Sequence, residues 1–170
     1  MKIKNCSSIN CLIVKMFIKI EKIYQNYKLQ GQKEIFKYFG QNIKIGKYTY
    51  IMKEQFVSIN DDTFIGSYVH IRAGSETSSI IIGKGCQIGN HSSIVTTSHA
   101  IVKNKEYKDT VIENEIILED NVWLGSGVKV LGGVTIGKNS IIGAGAVVNK
   151  DIPANSIAVG VPARVIKRID

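Results

Sequence analysis

Aliphatic residues recur every six positions along most of this chain. They open fourteen six-residue blocks, and neither this first position nor the fifth, which is small or β-branched, contains a charged residue. The blocks begin at Ile45, Ile59, Ile65, Ile71, Ile82, Ile88, Ile94, Ile112, Leu118, Leu124, Val130, Ile136, Ile142 and Val148. A period of six matches neither the α-helix nor the two-residue alternation of a strand. It predicts short strands with a corner every six residues, so that three faces close a triangular coil of about eighteen residues with the aliphatic positions inside.

The second position of the blocks supports this all-β solenoid. It is glycine in seven of the fourteen blocks, and glycine tolerates the backbone conformations of sharp corners. A β-sandwich of short strands is the alternative, but its strands would not keep one register over the seven consecutive blocks between residues 112 and 153. We therefore predict stacked coils that bury their faces against one another.

The repeat is interrupted at three places. Residues 51–58 fit the period poorly, and the register slips before Ile82, leaving residues 77–81 as an altered turn. The longest interruption is polar-rich and begins directly after His99. An excursion of this length from a regular solenoid is more often functional than accidental. We predict a protruding loop at residues 100–111.

The repeat also suggests two domains, an N-terminal segment of residues 1–42 and a β-helix of residues 43–168 with a tail from residue 154. The segment contains one apolar helical stripe, formed by Leu12, Ile13, Met16, Phe17, Ile20, Ile23, Tyr24 and Tyr27. Its lysines lie off the stripe. Such a helix can cover the open end of the solenoid, or it can lie on an anionic membrane surface. Both interpretations stay open.

Charge and cysteine content restrict the function classes. The net charge is +8, but residues 1–44 carry +7 of it, so the repeat region has no basic surplus that would predict nucleic-acid binding. Three scattered cysteines give neither a metal spacing nor a disulfide framework. No apolar run reaches the about 20 residues of a membrane span, and no signal-peptide cleavage site is recognisable. We expect a cytoplasmic protein, peripheral at the inner membrane face if the helix binds lipid.

One long motif resembles a known family. The sequence TTSHA, followed by VWLGSGVKVLGGVTIGKNSIIGAGAVVNKDIPANSIAVGVPARVIK, is similar to the hexapeptide-repeat acetyltransferases, particularly the galactoside, maltose and polysaccharide O-acetyltransferases. The resemblance covers about residues 40–168. It implies a left-handed parallel β-helix, a homotrimer with active sites between subunits, acetyl-CoA as donor, and direct transfer without an acyl-enzyme or a required metal.

The resemblance assigns the catalytic end of the site. The histidine of the family's T-x-H motif matches His99, which implies a general base that deprotonates the acceptor hydroxyl. Histidine suits this role because its ordinary pKa lies near neutral pH. The backbone N–H of Ser126 is implied to face the thioester carbonyl, where it can stabilise a developing oxyanion. Trp123 matches the tryptophan that lines the active-site tunnel, and Ala144 matches the alanine beside the pantetheine arm.

The same resemblance assigns a basic end of the coenzyme site. Asn149 and Lys150 match the family's T-K-D segment, with Asn in place of the usual Thr. Arg164 matches the arginine of the V-P-x-R motif, and Lys167 matches a basic residue that is often Arg in the sugar acetyltransferases. Clustered basic side chains near the C-terminal end are suited to coenzyme A phosphates.

The remaining histidines and Cys86 have other interpretations. A zinc carbonic anhydrase has the same solenoid and binds metal through three histidines, but the close paired spacing is missing from His70, His91 and His99. His70 is a candidate acceptor-binding residue, and His91 is expected on the surface. Cys86 occupies an inward position and is predicted to be core. A β-helix that serves as a non-catalytic scaffold is the alternative to an enzyme.

The predicted activity is O-acetylation of a carbohydrate hydroxyl, with a cell-surface polysaccharide or its precursor as acceptor. Three observations favour that acceptor. The basic N-terminal helix can hold a trimer near an anionic inner leaflet, where lipid-linked sugars lie. The N-terminal helical region of the maltose enzymes is not recognisable, and the sequence FGQNIKIG resembles acetyltransferases of capsule and lipopolysaccharide synthesis. Galactosides, maltose and antibiotics are alternative acceptors.

Overall fold

The computed structural model describes residues 12–20 and 35–169. By internal packing the chain divides into two compact units, residues 1–34 and 35–170. Within the first unit, residues 12–20 are helical and their side chains are exposed. The predicted stripe residues Ile23, Tyr24 and Tyr27 lie outside the described residues. No helix within the described ranges is long and apolar enough to cross a membrane.

The second unit is built from nineteen short strands, each two to five residues long. Strands β1 to β19 are, in chain order, Tyr38–Phe39, Lys44–Ile45, Tyr50–Met52, Val57–Ile59, Phe64–Ile65, His70–Arg72, Ile80–Ile82, Gln87–Ile88, Ser93–Val95, Thr97–His99, Val111–Glu113, Ile116–Leu118, Trp123–Leu124, Lys129–Leu131, Thr135–Ile136, Ile141–Ile142, Val147–Val148, Ser156–Val159 and Arg164–Arg168. Three 3₁₀-helices interrupt them, at Glu54–Phe56, Glu76–Ser78 and Tyr107–Asp109.

The strands form the three faces of a left-handed β-helix. The first face contains β1, β4, β7, β12 and β15; the second contains β2, β5, β8, β13, β16, β18 and β19; the third contains β3, β6, β9, β14 and β17. Neighbours on a face are parallel and come from successive coils, as in the pairing of Ile65 with Ile88. Only β19 departs from this, because it returns antiparallel to β18. The predicted fold class is confirmed.

The aliphatic positions of the repeat fill the inside of the prism. On the first face Ile59, Ile82, Leu118 and Ile136 are fully buried one above the other; Ile65, Ile88, Leu124 and Ile142 do the same on the second, and Ile71, Ile94, Val130 and Val148 on the third. Full burial of one such side chain contributes about 1.5–3 kcal/mol. The column of aliphatic residues therefore holds the coils in register.

Three corners join the faces, and each has its own chemistry. The corner from the first face to the second, called the asparagine edge, contains Asn42, Asp62, Gly85, Asn121, Asn139 and Asn155 at positive φ. The corner from the second face to the third, called the aromatic edge, contains Tyr48, Tyr68, His91, Gly127 and Gly145 at positive φ. The corner from the third face back to the first, called the hairpin edge, carries the 3₁₀-helices and the long excursion.

Two predicted boundaries need correction. The excursion is wider than residues 100–111, because β10 and β11 pair antiparallel and the Asn114 N–H closes its base by donating to the Thr96 carbonyl at 3.2 Å. Ile112 therefore belongs to this hairpin, where it is 42% exposed, and does not open a coil. In the altered turn, Ile80 and Ile81 already belong to β7, so the turn ends before them.

The ends of the solenoid also differ from the prediction. Strand β1 pairs with β4 on the first face, so the coils begin before residue 43. At the other end, β18 pairs parallel with β16 and buries Ala158 completely. The tail therefore leaves the coils after Val159, because β18 still continues the second face beyond residue 154.

Candidate active site

His99 lies at the end of β10, the outgoing strand of the hairpin. In the antiparallel register of β10 and β11, His99 is opposite Val111. The Ala100 N–H donates to the Thr110 carbonyl at 2.8 Å, which extends the pairing beyond His99. The hairpin thus places His99 outside the prism, with an exposed imidazole on an ordered backbone.

The orientation of the His99 ring is set by one backbone carbonyl. Its Nδ1 lies 2.5 Å from the carbonyl oxygen of Tyr107, which also accepts from the Thr110 hydroxyl at 2.9 Å. A carbonyl oxygen can only accept, so in this contact Nδ1 carries the hydrogen. The neutral imidazole then has its free lone pair on Nε2, which is the tautomer that a general base requires.

Two carboxylates anchor the return strand of the hairpin to the coil below. The Ser78 hydroxyl donates to Glu113 at 3.2 Å, and the Ser79 hydroxyl donates to Glu115 at 2.5 Å. Both serines are fully buried, whereas Glu113 and Glu115 are partly buried. Hydrogen bonds to charged acceptors are stronger than those to neutral ones. The base of the hairpin is therefore fixed to the solenoid, and so is the strand opposite His99.

Ser126 and Ala144 come together at the aromatic edge, in successive coils. The Gly145 N–H donates to the Ser126 carbonyl at 2.8 Å, so the two corners are stacked. Both Ser126 and Ala144 are exposed. A Cβ on Gly125 would lie only 2.6 Å from the Ala144 nitrogen, which explains why glycine precedes Ser126.

The backbone N–H of Ser126 is available to a ligand. Within residues 12–20 and 35–169, no group accepts a hydrogen bond from it. The equivalent N–H two coils earlier, in Ser67, donates to the Asn90 side chain at 2.8 Å. The corner at Ser126 has no such side chain above it, because Ala144 occupies that position.

Trp123 lies on the second face, between Gln87 and Ile141 of the neighbouring coils. Its side chain is 53% exposed and lines an open groove of about 460 Å³ together with both of these residues. An aromatic side chain with this exposure can contact either a ligand or another subunit.

The candidate coenzyme-binding residues near the C-terminal end are dispersed over two parts of the fold. Asn149 and Lys150 are exposed at the hairpin edge, after β17. Arg164 and Lys167 are exposed on β19, where they pair with Val159 and Ile157. Asn149 and Lys150 stand at a different corner from Ser126 and Ala144, whereas Arg164 pairs with Val159, whose side chain approaches Gly143 of that corner.

His70, His91 and His99 stand in different settings. His70 is half-buried on the third face and stacks on Tyr50, with ring centroids 6.1 Å apart. His91 is exposed, as predicted, and stacks on Tyr68 at 5.0 Å. Across the described residues, no three His, Cys, Asp or Glu side chains gather closely enough to hold a metal ion.

Cys86 is buried, as the repeat predicted. Its sulfur lies 3.2 Å from the Glu119 carbonyl oxygen. Burial raises the pKa of the Cys86 thiol to about 11. The thiol therefore stays protonated near neutral pH and does not supply a nucleophile.

Sequence reasoning missed the Tyr107 carbonyl and the stacked rings of the aromatic edge. The carbonyl leaves no signal, because any residue at that position provides one. The rings do leave a signal. The fourth position of the blocks is mostly Asn, Asp or Gly, whereas Tyr48, Tyr68 and His91 occupy it in the early coils.

Comparisons with known proteins agree with this architecture. The family model described as bacterial transferase hexapeptide (six repeats) matches residues 115–150, and the hexapeptide repeat of succinyl-transferase matches residues 56–95. A galactoside O-acetyltransferase from Lactococcus lactis is 34% identical, over 71% of this chain and 67% of that enzyme.

Two solved structures share the fold over most of the chain. A hexapeptide-repeat acetyltransferase from Vibrio cholerae, complexed with acetyl coenzyme A, superposes with a TM-score of 0.78 and 29% identity, covering 86% of this chain and 78% of that one. A galactoside acetyltransferase in complex with coenzyme A gives a TM-score of 0.75 and 31% identity, covering 81% and 68%. The chain therefore belongs to the hexapeptide-repeat acetyltransferases and is an acyltransferase.

Proposed function

We propose that this enzyme transfers the acetyl group of acetyl-CoA to a carbohydrate hydroxyl, with His99 as general base. One observation carries the proposal: the Tyr107 carbonyl accepts from Nδ1 of His99, which leaves Nε2 to take a proton. The similarity to galactoside O-acetyltransferases supports a sugar acceptor.

In the first step, His99 Nε2 removes the proton of the acceptor hydroxyl as its oxygen forms a bond to the acetyl carbonyl carbon. The Ser126 N–H donates to the carbonyl oxygen as negative charge develops there. The carbon–sulfur bond then breaks, and the imidazolium of His99 returns its proton to the departing thiolate. The products are an O-acetyl sugar and free coenzyme A, and His99 is again neutral.

The described residues fit acetyl-CoA. When bound, it supplies an acetyl group activated as a thioester. Gly127 and Gly145 carry no side chains beside the Ser126 amide, and a Cβ at Gly127 would have no heavy atom nearer than 3.9 Å, so the aromatic edge leaves room for a pantetheine arm. Lys150 and Arg164 are exposed and suited to its phosphates.

We also propose a homotrimer whose sites form between copies. Two observations support it. Ser126 lies at the aromatic edge and His99 at the hairpin edge, so a groove between two copies would bring together parts that stand at different corners of one chain. The otherwise polar hairpin also exposes large apolar side chains, since Ile101 is 92% exposed and Tyr107 is 67% exposed. Exposed apolar groups of this kind mark contact surfaces.

The acceptor we propose is a sugar of a cell-surface polysaccharide or of its lipid-linked precursor. The pattern FGQNIKIG supports it. His70 is the candidate acceptor-binding residue. A free galactoside is the second candidate, favoured by the similarity to galactoside enzymes.

Competitive turnover distinguishes these acceptors. Coenzyme A release is measured with a lipid-linked or polymeric glycan, a galactoside, maltose and chloramphenicol. We expect kcat/KM for the polymeric or lipid-linked glycan to exceed the others by about tenfold or more, which is about 1.4 kcal/mol of transition-state preference. An equal or higher value for a free disaccharide or for the drug would contradict the proposed acceptor.

A further inference from the structure

The aromatic edge changes character halfway along the solenoid. Three successive coils place Tyr48, Tyr68 and His91 at the same corner position, and the next two coils place Gly127 and Gly145 there. The equivalence follows from one repeated hydrogen bond, in which the N–H at this position donates to the corner of the preceding coil at 2.8–3.0 Å. The rings therefore form a column that ends where the Ser126 corner begins.

The three rings are stacked along the axis of the β-helix. The centroids of Tyr48 and Tyr68 are 5.0 Å apart with an interplanar angle of 25°, and those of Tyr68 and His91 are 5.0 Å apart with an angle of 3°. The side chains of Tyr48 and Tyr68 remain 61% and 53% exposed. Because the inner faces cover each other, the column presents ring edges along its length and one imidazole face at its upper end.

The backbone conformation makes this column unusual. Tyr48, Tyr68 and His91 have φ of 58°, 58° and 61°, in the left-handed region that bulky side chains disfavour. The asparagine edge fills the same kind of position with residues that tolerate it, such as Asn121 and Asn139. Residues kept in a disfavoured backbone conformation cluster at active sites and ligand-binding sites.

The column also has unused polar groups. Neither tyrosine hydroxyl, nor either ring nitrogen of His91, has a hydrogen-bond partner among the residues that the structure describes. Above His91, the Gly127 N–H donates to the Asn90 carbonyl, so the residue that covers the imidazole has no side chain. A sugar chain matches this surface, because its hydroxyls hydrogen-bond to tyrosine hydroxyls and imidazole nitrogens and its C–H face packs on an aromatic face.

We propose that Tyr48, Tyr68 and His91 form an acceptor subsite for an oligosaccharide, which follows the aromatic edge toward the Ser126 corner. This inference rests on the proposed function. It specifies the surface that binds the non-reacting sugars of an extended acceptor. The occupant is a carbohydrate because the column is continuous with the corner that holds the acyl-transfer candidate Ser126. Two steps of 5.0 Å make the column longer than one sugar ring, so it favours chains over monosaccharides.

The test is direct binding to the coenzyme A-saturated protein, measured by calorimetry. The probes are galactotetraose, cellotetraose and chitotetraose, each compared with its methyl monosaccharide. We expect at least one tetrasaccharide to bind about tenfold more tightly than its monosaccharide. Tyr68→Asn, which suits the left-handed backbone, should remove about tenfold of that tetrasaccharide affinity and leave the monosaccharide unaffected.

Tyr38→Ala is the matched control, since Tyr38 is 49% exposed but stands on the first face. Equal affinity for all tetrasaccharides and monosaccharides, or equal effects of Tyr68→Asn and Tyr38→Ala, would overturn the subsite. So would a change of oligomeric state in Tyr68→Asn, because the column would then be a contact between copies. Binding needs no turnover: a protein that binds a tetrasaccharide through Tyr68 but acetylates no sugar keeps the subsite and refutes the proposed function.

Discussion

The Nδ1 atom of His99 lies 2.5 Å from the backbone carbonyl oxygen of Tyr107, across the width of one hairpin. Both residues belong to the same excursion, so the element that carries the candidate base also fixes its tautomer. The 3₁₀-helix Tyr107–Asp109 turns the carbonyl back toward β10.

Removing the basic side chains Lys150 and Arg164 tests the coenzyme site. For Lys150→Ala and for Arg164→Ala we expect the KM for acetyl-CoA to rise about tenfold with kcat changed less than about twofold, because phosphate contacts bind substrate and transition state alike. Initial rates at varied acetyl-CoA give both constants. Lys138→Ala is the control, since this exposed lysine stands at the asparagine edge. A fall in kcat with unchanged KM would place these residues in the chemical step.

The assembly is tested by light scattering on the purified chain. We expect a mass of three copies of 18.7 kDa, independent of dilution through the micromolar range. The reason is that a site formed between copies needs a stable interface. A monomer that keeps full acetyltransferase activity would contradict the shared site.

The asparagine edge gives a prediction about stability. Asn139 accepts from Asn121 at 3.0 Å and donates to Asn155 at 2.9 Å, with φ of 59°. Asn139→Ala loses both hydrogen bonds and also the polar side chain that helps asparagine tolerate the left-handed region, so we expect it to lower the free energy of unfolding by about 1–2 kcal/mol. Asn139→Gly keeps the backbone relaxed and should cost less.

Urea unfolding of the two variants separates these contributions. Asn104→Ala is the control, because Asn104 has φ of 62° in the hairpin, away from the ladder of side-chain amides. If Asn139→Ala were no more destabilised than Asn139→Gly, the left-handed backbone would carry no cost. If both variants matched the unchanged chain, the amide ladder would contribute nothing.

Most of the solenoid could be predicted from the sequence, because its core is one repeated environment. Each inward position has aliphatic neighbours in the coils on either side, as Leu124 has Ile88 and Ile142. The aliphatic character therefore recurs at a fixed period. The prediction was wrong where another interaction replaced the coil. Ile112 satisfies the period, but antiparallel pairing with Ser98 places it in the hairpin.

Less of the candidate site could be predicted from the sequence. His99 could be selected because the repeat stops beside it, whereas its partner is a main-chain carbonyl that any residue could supply. Ser126 and His99 lie at different corners of the prism. Assigning a residue to its corner from the sequence requires every strand and turn before it to be counted correctly. The roles of Trp123, Ala144 and Asn149 remain predictions.

Turnover by His99→Ala is the most direct test of the central claim that His99 is the general base. Because a general base typically contributes about 10²–10⁴-fold, we expect kcat to fall by that factor while the Kd for acetyl-CoA stays unchanged. Tyr107→Phe is the matched control, because it keeps the carbonyl that orients His99 and should keep near-normal turnover. Near-normal kcat in His99→Ala, with an acceptor that the unchanged enzyme acetylates, would contradict the account.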